Sequence, residues 1–360
     1  DLYDGEWQDW RTGQFLARQV ARLCEASIPF IAIRGNHDAQ SVISRELRLP
    51  DPARELSHRR PETVKLDHLQ VAIHGQSFAT AAVTDDLRKA YPPPLNGWFN
   101  IGVLHTNLDG RPDHQNYAPC ALADLRAHGY HYWALGHVHT RDMPSQNPFV
   151  VYPGNLQGRS VRETGPRGAC VVTVADGQVA GTPLFVPFDT VRWCVLKVDV
   201  TGAEDLDTVL DRARTAIATA AAEANGRLLA VRVCLAGATQ ACAALGRSSA
   251  DDIRQRVRAD VAGLDNVWIE SVATAVTPPP QQDATSSLLA NEVRRVDSAS
   301  LNDIAARYLK DMLGKLPGLR DELRALDPAH QLLALDETGV LPPDLLDRAR
   351  TLLLAQLGDG

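Results

Sequence analysis

Ten of the eleven histidines lie from His37 to His139, and four of them stand in three short strings: Gly35-Asn-His-Asp38, Leu104-His-Thr106 and Gly136-His-Val-His139. Imidazole, amide and carboxylate donors together suit borderline or moderately hard divalent ions such as Mn2+, Fe2+ or Zn2+ better than Ca2+, which takes an all-oxygen shell. No cysteine stands in these strings, which argues against structural zinc. In Gly136-His-Val-His139 the i, i+2 spacing puts both imidazoles on one face of an extended strand, and they can diverge toward two neighbouring ions where the strand turns into a loop. The Asn36 amide oxygen can ligate a cation without adding charge. His37, one residue on, is left to face a substrate oxygen, and Asp38 can hold its ring in one tautomer. A lone His105 would more often be a packed or capping residue; its place in the series makes it a ligand candidate.

Each string follows an apolar, β-like run, at Ile28–Ile33, Ile101–Leu104 and Tyr132–Leu135. The histidines would therefore emerge at the carboxyl ends of strands, where open α/β sheets collect their chemistry. The periodicity predicts a helix over 8–26, strands over 28–34, 63–66, 69–74 and 99–105, and a short helix near 83–90. A helix over 120–128, a strand over 130–135 and β-rich stretches at Phe149–Tyr152 and Cys170–Val174 follow. This is a layered α/β domain over 1–188. The pattern then restarts without histidine: a strand over 191–200, a long helix over 204–224, a strand over 227–235, a helix over 249–262 and a strand over 266–273. A small second α/β domain is expected over 189–276, a proline-rich linker over 277–287, and a helical region over 288–360 whose best helix, 343–357, is amphipathic.

The chain of 360 residues is 44% hydrophobic, the composition of a soluble globular protein, and has no apolar run long enough to cross a bilayer. Six separated cysteines without a CxxC pair disfavour a disulfide framework and a zinc ribbon and fit a reducing cytoplasm. A net charge of −7 argues against a broad basic face for nucleic acid, so any such contact is expected to be local. Arg45, Arg48, Arg54, Arg59 and Arg60 form a basic stretch, although interspersed Glu46, Asp51 and Glu55 make a plain solvated face equally fitting. Trp98 and Trp133 read as packing residues, and His58, His68, His74, His114, His128 and His131 as surface or structural ones.

The blocks resemble those of the calcineurin-like metallophosphoesterases, in the branch of the bacterial SbcD-like and YhaO-like DNA repair exonucleases. The resemblance rests on Gly35-Asn-His-Asp38, His74-Gly-Gln-Ser-Phe78, Tyr91-Pro-Pro-Pro94, Asn100-Ile-Gly-Val-Leu-His-Thr106, Tyr117-Ala-Pro-Cys120, Tyr132-Trp-Ala-Leu-Gly-His-Val-His139 and Tyr152-Pro-Gly-Asn-Leu-Gln-Gly-Arg159. It is close over roughly 1–190 and loose over the next domain. It implies a layered β-sandwich flanked by helices, with a small capping domain and a helical tail. It further implies Asp1 as the carboxylate bridging two metals, with Asp4 as the fallback, and Asn36, His105 and His137 as the rest of one ion's shell. His139 would ligate the other ion, and His37 would face the scissile phosphate. Arg159 is a candidate phosphate contact, against the alternative of a local salt bridge.

The implied activity is two-metal hydrolysis of DNA, with Mn2+ as the preferred ion and Fe2+, Zn2+ or Mg2+ as alternatives. The implied partners are DNA and an SMC-like ATPase; a second copy of the chain is a further candidate. Competing readings are a phosphodiesterase or phosphatase acting on small nucleotides or phosphoproteins, and a non-catalytic scaffold with a partial metal site. The first family block, Asp-x-His, is absent, as is the Gly before Asp1. The expectation that follows is an upstream segment carrying the missing ligands and the first strand. If Asp1 were the true terminus, its amino group, with an ordinary pKa of about 7.7–8.0, would weaken metal binding.

Overall fold

The computed structural model describes residues 1–3, 9–41, 47–111 and 115–279. Asp4, Arg45, His114, most of the expected linker and the whole of 288–360 lie outside the described residues. The chain divides into two compact units between Trp193 and Cys194.

In the first unit, α1 (Trp10–Glu25) starts where the Asp9 carboxylate accepts the Arg11 amide, satisfying one of the free N–H groups of the first turn. β1 (Ile31–Ala32) pairs in parallel with β2 (Arg54–Glu55), much shorter than the expected strand 28–34. Ile28 is half exposed, so the apolar run does not continue into the sheet at its start. α2 (Asn36–Gln40) follows directly.

The main sheet contains β3 (Glu62–Leu66), β4 (Val71–Gly75), β5 (Phe99–His105), β6 (Tyr132–Gly136), β7 (Asp142–Gln146) and β8 (Phe149–Tyr152), in the order β3-β4-β5-β6-β8-β7. Its central ladders, β4 with β5, β5 with β6 and β6 with β8, are parallel, and both edge pairs are antiparallel. The strands read as apolar runs rather than strict alternations because both faces of a parallel centre are covered. Along one face Trp133, Leu135, Val150 and Tyr152 pack with Leu104, Leu125 and α3 (Leu122–Ala127). Gly102 is the β5 position opposite Trp133, where a Cβ would lie 2.3 Å from the indole ring. On the other face Phe99, Tyr132 and Val151 meet β9 (Gly168–Val171), which pairs with β12 (Leu184–Pro187); β10 (Val174–Ala175) and β11 (Gln178–Val179) form a small hairpin.

The register pins the chemistry. His105 ends β5 and pairs with Gly136, the last residue of β6, so His105 and His137 leave adjacent parallel strands at the same end of the sheet. Tyr91 ties β4 to β5, donating to the Val103 carbonyl and accepting from the Gln76 amide. Beyond His105 the chain is held by Tyr152, whose hydroxyl donates to the Thr106 carbonyl and accepts from the Leu108 amide.

In the second unit, β13 (Val191–Asp199), β14 (Leu228–Ala238) and β15 (Val267–Thr277) form a three-stranded sheet in that order, β14 and β15 being parallel. α4 (Leu206–Glu223) is capped by Asp205 and buries Val209, Ala213, Ile217 and Ala220, one stripe at helical spacing. α6 (Ala250–Asp260) opens on a capping box of Ser249 and Asp252 and buries Ile253 and Val257. α5 (Cys242–Arg247) was not expected from the pattern. All six cysteines are free thiols. Among the described residues no helix is long and apolar enough to cross a membrane.

Candidate metal centre

Asp1, Asn36 and His105 converge. The Nε2 of His105 lies 2.9 Å from the Asn36 Oδ1 and 3.4 Å from the Asp1 Oδ2. Two acceptor oxygens thus crowd one ring nitrogen that can offer a single proton. Separations near 3 Å are those of neighbouring ligands about one cation held at roughly 2.0–2.2 Å. The buried Nδ1 of His105 has no hydrogen-bond partner among the described residues. Two glycines keep the cradle open: at Gly35 a Cβ would stand 2.2 Å from Asp1 Oδ1, and at Gly136 one would stand 2.8 Å from His105 Nδ1.

Backbone amides complete the frame. Asp1 Oδ1 accepts from the N–H of His37 and of Asp38, and the buried Asp38 carboxylate accepts in return from the N–H of Leu2 and of Tyr3. The Asp38 carboxylate thus ties Leu2 and Tyr3 to α2. His37 stands half-buried beside them.

His137 sits 5.2 Å from His105, ring centre to ring centre, and its Nε2 donates to the Gln115 carbonyl. A neutral ring donating there keeps its lone pair on Nδ1. Its φ of +101° is unusual for a residue with a Cβ; conformations of this kind persist where surroundings hold them and cluster at functional sites. β6 ends at Gly136, so His137 and His139 lie in the loop beyond the strand, with Val138 buried between them. His139 Nδ1 lies 2.7 Å from the Glu163 Oε1, and Arg159 forms an ion pair with the same carboxylate. Arg159 is thus engaged locally, in the salt bridge that was the alternative to a phosphate contact.

Burial drives the pKa of His105 well below the ordinary histidine value, and any charge on neighbouring His137, His37 and His139 acts in the same direction. The neutral form, the one that ligates a metal, is favoured. A stability effect follows for the metal-free protein. Below about pH 6.5 the unfolded chain protonates His105 while the folded chain does not, so stability is complete above that pH and falls as pH drops toward the folded value. One such group gives a slope of at most about 1.4 kcal/mol per pH unit. Urea midpoints at pH 7.5 and 5.5 should fall further in the wild type than in His105→Gln; equal losses would contradict the burial of a neutral ring.

Among the described residues no three His, Cys, Asp or Glu side chains form a metal-holding group by themselves. The Asn36 amide completes the pair of Asp1 and His105, and His137 stands next to it. The donor set, a carboxylate, an amide oxygen and imidazoles, fits a divalent ion of the Mn2+, Fe2+ or Zn2+ kind. His74, by contrast, is buried between Thr63 and Asn100 and stacked on Tyr130, a structural role within β4.

A mixed α/β domain with this cluster at the carboxyl ends of its parallel strands is a candidate divalent-metal hydrolase. Residues 193–277 match the family model described as the middle domain of metallophosphoesterase YhaO. The chain is 33% identical over 210 residues to the uncharacterized metallophosphoesterase YhaO of Bacillus subtilis (strain 168), across 57% of this chain and 51% of that protein. It spans about half the length of the curated relative it matches. Both similarities are to metallophosphoesterases.

Proposed function

We propose that this chain belongs to a metal-dependent phosphodiesterase whose substrate is DNA, acting as an exonuclease subunit in repair. The observation that carries the hydrolytic reading is the convergence of Asp1, Asn36 and His105 within 2.9–3.4 Å beside His137, at adjacent strand ends. Divalent ions held there would supply a nucleophile from water at neutral pH and charge stabilisation at phosphate oxygens. Asp1, Asn36, His105 and His137 would hold one ion, with Asp1 and His139 turned to a second. His37 offers its imidazole to the phosphate, as a hydrogen-bond donor to the developing charge or as the acid that gives the leaving oxygen its proton. DNA as substrate, Mn2+ as the ion and an SMC-like ATPase as partner rest on the resemblance of the sequence blocks, and a cytoplasmic setting on the separated cysteines.

The test is end-labelled DNA incubated with the chain and Mn2+, with bis-p-nitrophenyl phosphate in parallel. End-dependent degradation that EDTA stops and Mn2+ restores is the expected result. Cleavage of the small diester with DNA left intact would move the substrate to small nucleotides; metal uptake without hydrolysis of either would favour the scaffold reading.

A further inference from the structure

The loop that follows β8 wraps the second histidine of the Gly-His-Val-His string. The His139 carbonyl accepts from the Asn155 amide and from the Arg167 guanidinium, and a Cβ at Gly154 would strike that carbonyl at 2.8 Å. At the centre of the wrap is Glu163, its side chain only 13% exposed. Its Oε2 accepts from Asn155 Nδ2 at 2.9 Å and from the Arg159 amide at 2.8 Å, and its Oε1 accepts from the Arg159 guanidinium at 2.9 Å. The remaining contact of Oε1 is His139 Nδ1 at 2.7 Å.

A carboxylate oxygen and a bare imidazole nitrogen are both acceptors and would repel at that distance, so the proton must sit on Nδ1 and be donated to Glu163. The Arg159 Nη2 also comes within 2.9 Å of Nδ1. Were it the donor there, the proton of a neutral His139 would lie on Nε2 and leave no lone pair for a cation. Glu163 engages the same guanidinium through both its oxygens.

We propose that Glu163 is a positioning residue for metal binding: it fixes His139 as the Nδ1–H tautomer, with the Nε2 lone pair free for a divalent ion, in competition with the Arg159 Nη2 that stands 2.9 Å from the same Nδ1. The metal part rests on the function proposed above; the hold on the tautomer does not. Carboxylates that orient ligating histidines in this way typically change metal affinity by about 10–100-fold when removed. Burial raises the Glu163 pKa, but hydrogen bonds from the Arg159 side chain and backbone and from His139 outweigh it and bring the value to about 2, so the carboxylate is ionised throughout the working range.

The experiment is long-range 1H–15N NMR on the full chain labelled at histidine, free of metal, joined to Mn2+ titration of wild type, Glu163→Ala and Glu163→Gln. The wild type should show His139 protonated at Nδ1; protonation at Nε2 overturns the proposal without any variant. Glu163→Ala should shift the proton to Nε2 and weaken Mn2+ binding by about 10–100-fold. Glu163→Gln, which keeps an acceptor oxygen, should retain the tautomer and lose less affinity. An unchanged tautomer and affinity in Glu163→Ala overturn the proposal, since a purely structural tie would lower only the unfolding midpoint. A wild type that takes up no Mn2+ yet holds Nδ1–H overturns the phosphoesterase reading while supporting the Glu163–His139 link.

Discussion

Gly35→Ala should remove metal binding from an otherwise folded protein. The new Cβ would stand 2.2 Å from Asp1 Oδ1, 2.6 Å from Asp1 Cγ and 2.4 Å from His105 Cε1, so something must move. His105 cannot readily do so: it is buried at the end of β5, with Phe78 edge-on at 5.2 Å on one side and His137 at the same distance. The Asp1 carboxylate is the part that yields, leaving Asn36 and the amides of His37 and Asp38. The backbone itself is not strained, since Gly35 has φ −94° and ψ −160°, an extended conformation open to alanine. Mn2+ affinity should drop by about 100-fold or more, beyond the usual effect of losing a residue that only orients a ligand. Calorimetric titration checks this, with circular dichroism confirming the fold; wild-type affinity in the variant would mean that Asp1 and His105 do not share an ion.

His37→Ala should do the opposite, keeping the metal and losing turnover. His37 gives the cluster its backbone N–H, donated to Asp1 Oδ1 at 3.0 Å, and alanine keeps it. Only the imidazole is removed. A positioned acid or donor of this kind contributes typically about 10²–10⁴-fold. The drop should appear in kcat on DNA, with Mn2+ affinity unchanged. Loss of metal and activity together would show that the ring belongs to the ligand set.

The elements that position the site were legible because their patterns are long and unambiguous. The strands expected over 99–105 and 130–135 are β5 and β6, with bounds within two residues of expectation, and the long helix expected over 204–224 is α4. Shorter elements were decided by context. The apolar run from Ile28 yields only Ile31–Ala32, because β2 supplies two residues of pairing. The expected helix near 83–90 is a single 3₁₀ turn at Leu87–Ala90, and α5 has no side-chain cap to announce it.

Within the site, spacing named the residues but not their partners. Asp38 accepts from amides more than thirty residues away in sequence, a relation no local motif records. Glu163 escaped for a similar reason. Arg159 was readable as one half of a salt bridge, but the carboxylate four residues on becomes informative only when the loop after β8 folds it against His139. Glycines carry signal too: Gly35 and Gly136 open two of the histidine strings, Gly136 reads from the sequence as room for close approach, and both prove to be places where a side chain would occupy the cradle.

The most direct test of the central claim is diffraction from crystals of this chain grown with Mn2+, reading the position of the anomalous signal. A peak bonded to Asp1, Asn36 and His105 Nε2 is the expected result. Mn2+ held elsewhere, with Asn36 Oδ1 and Asp1 Oδ2 still 2.9 and 3.4 Å from His105 Nε2 and no peak among them, would contradict it.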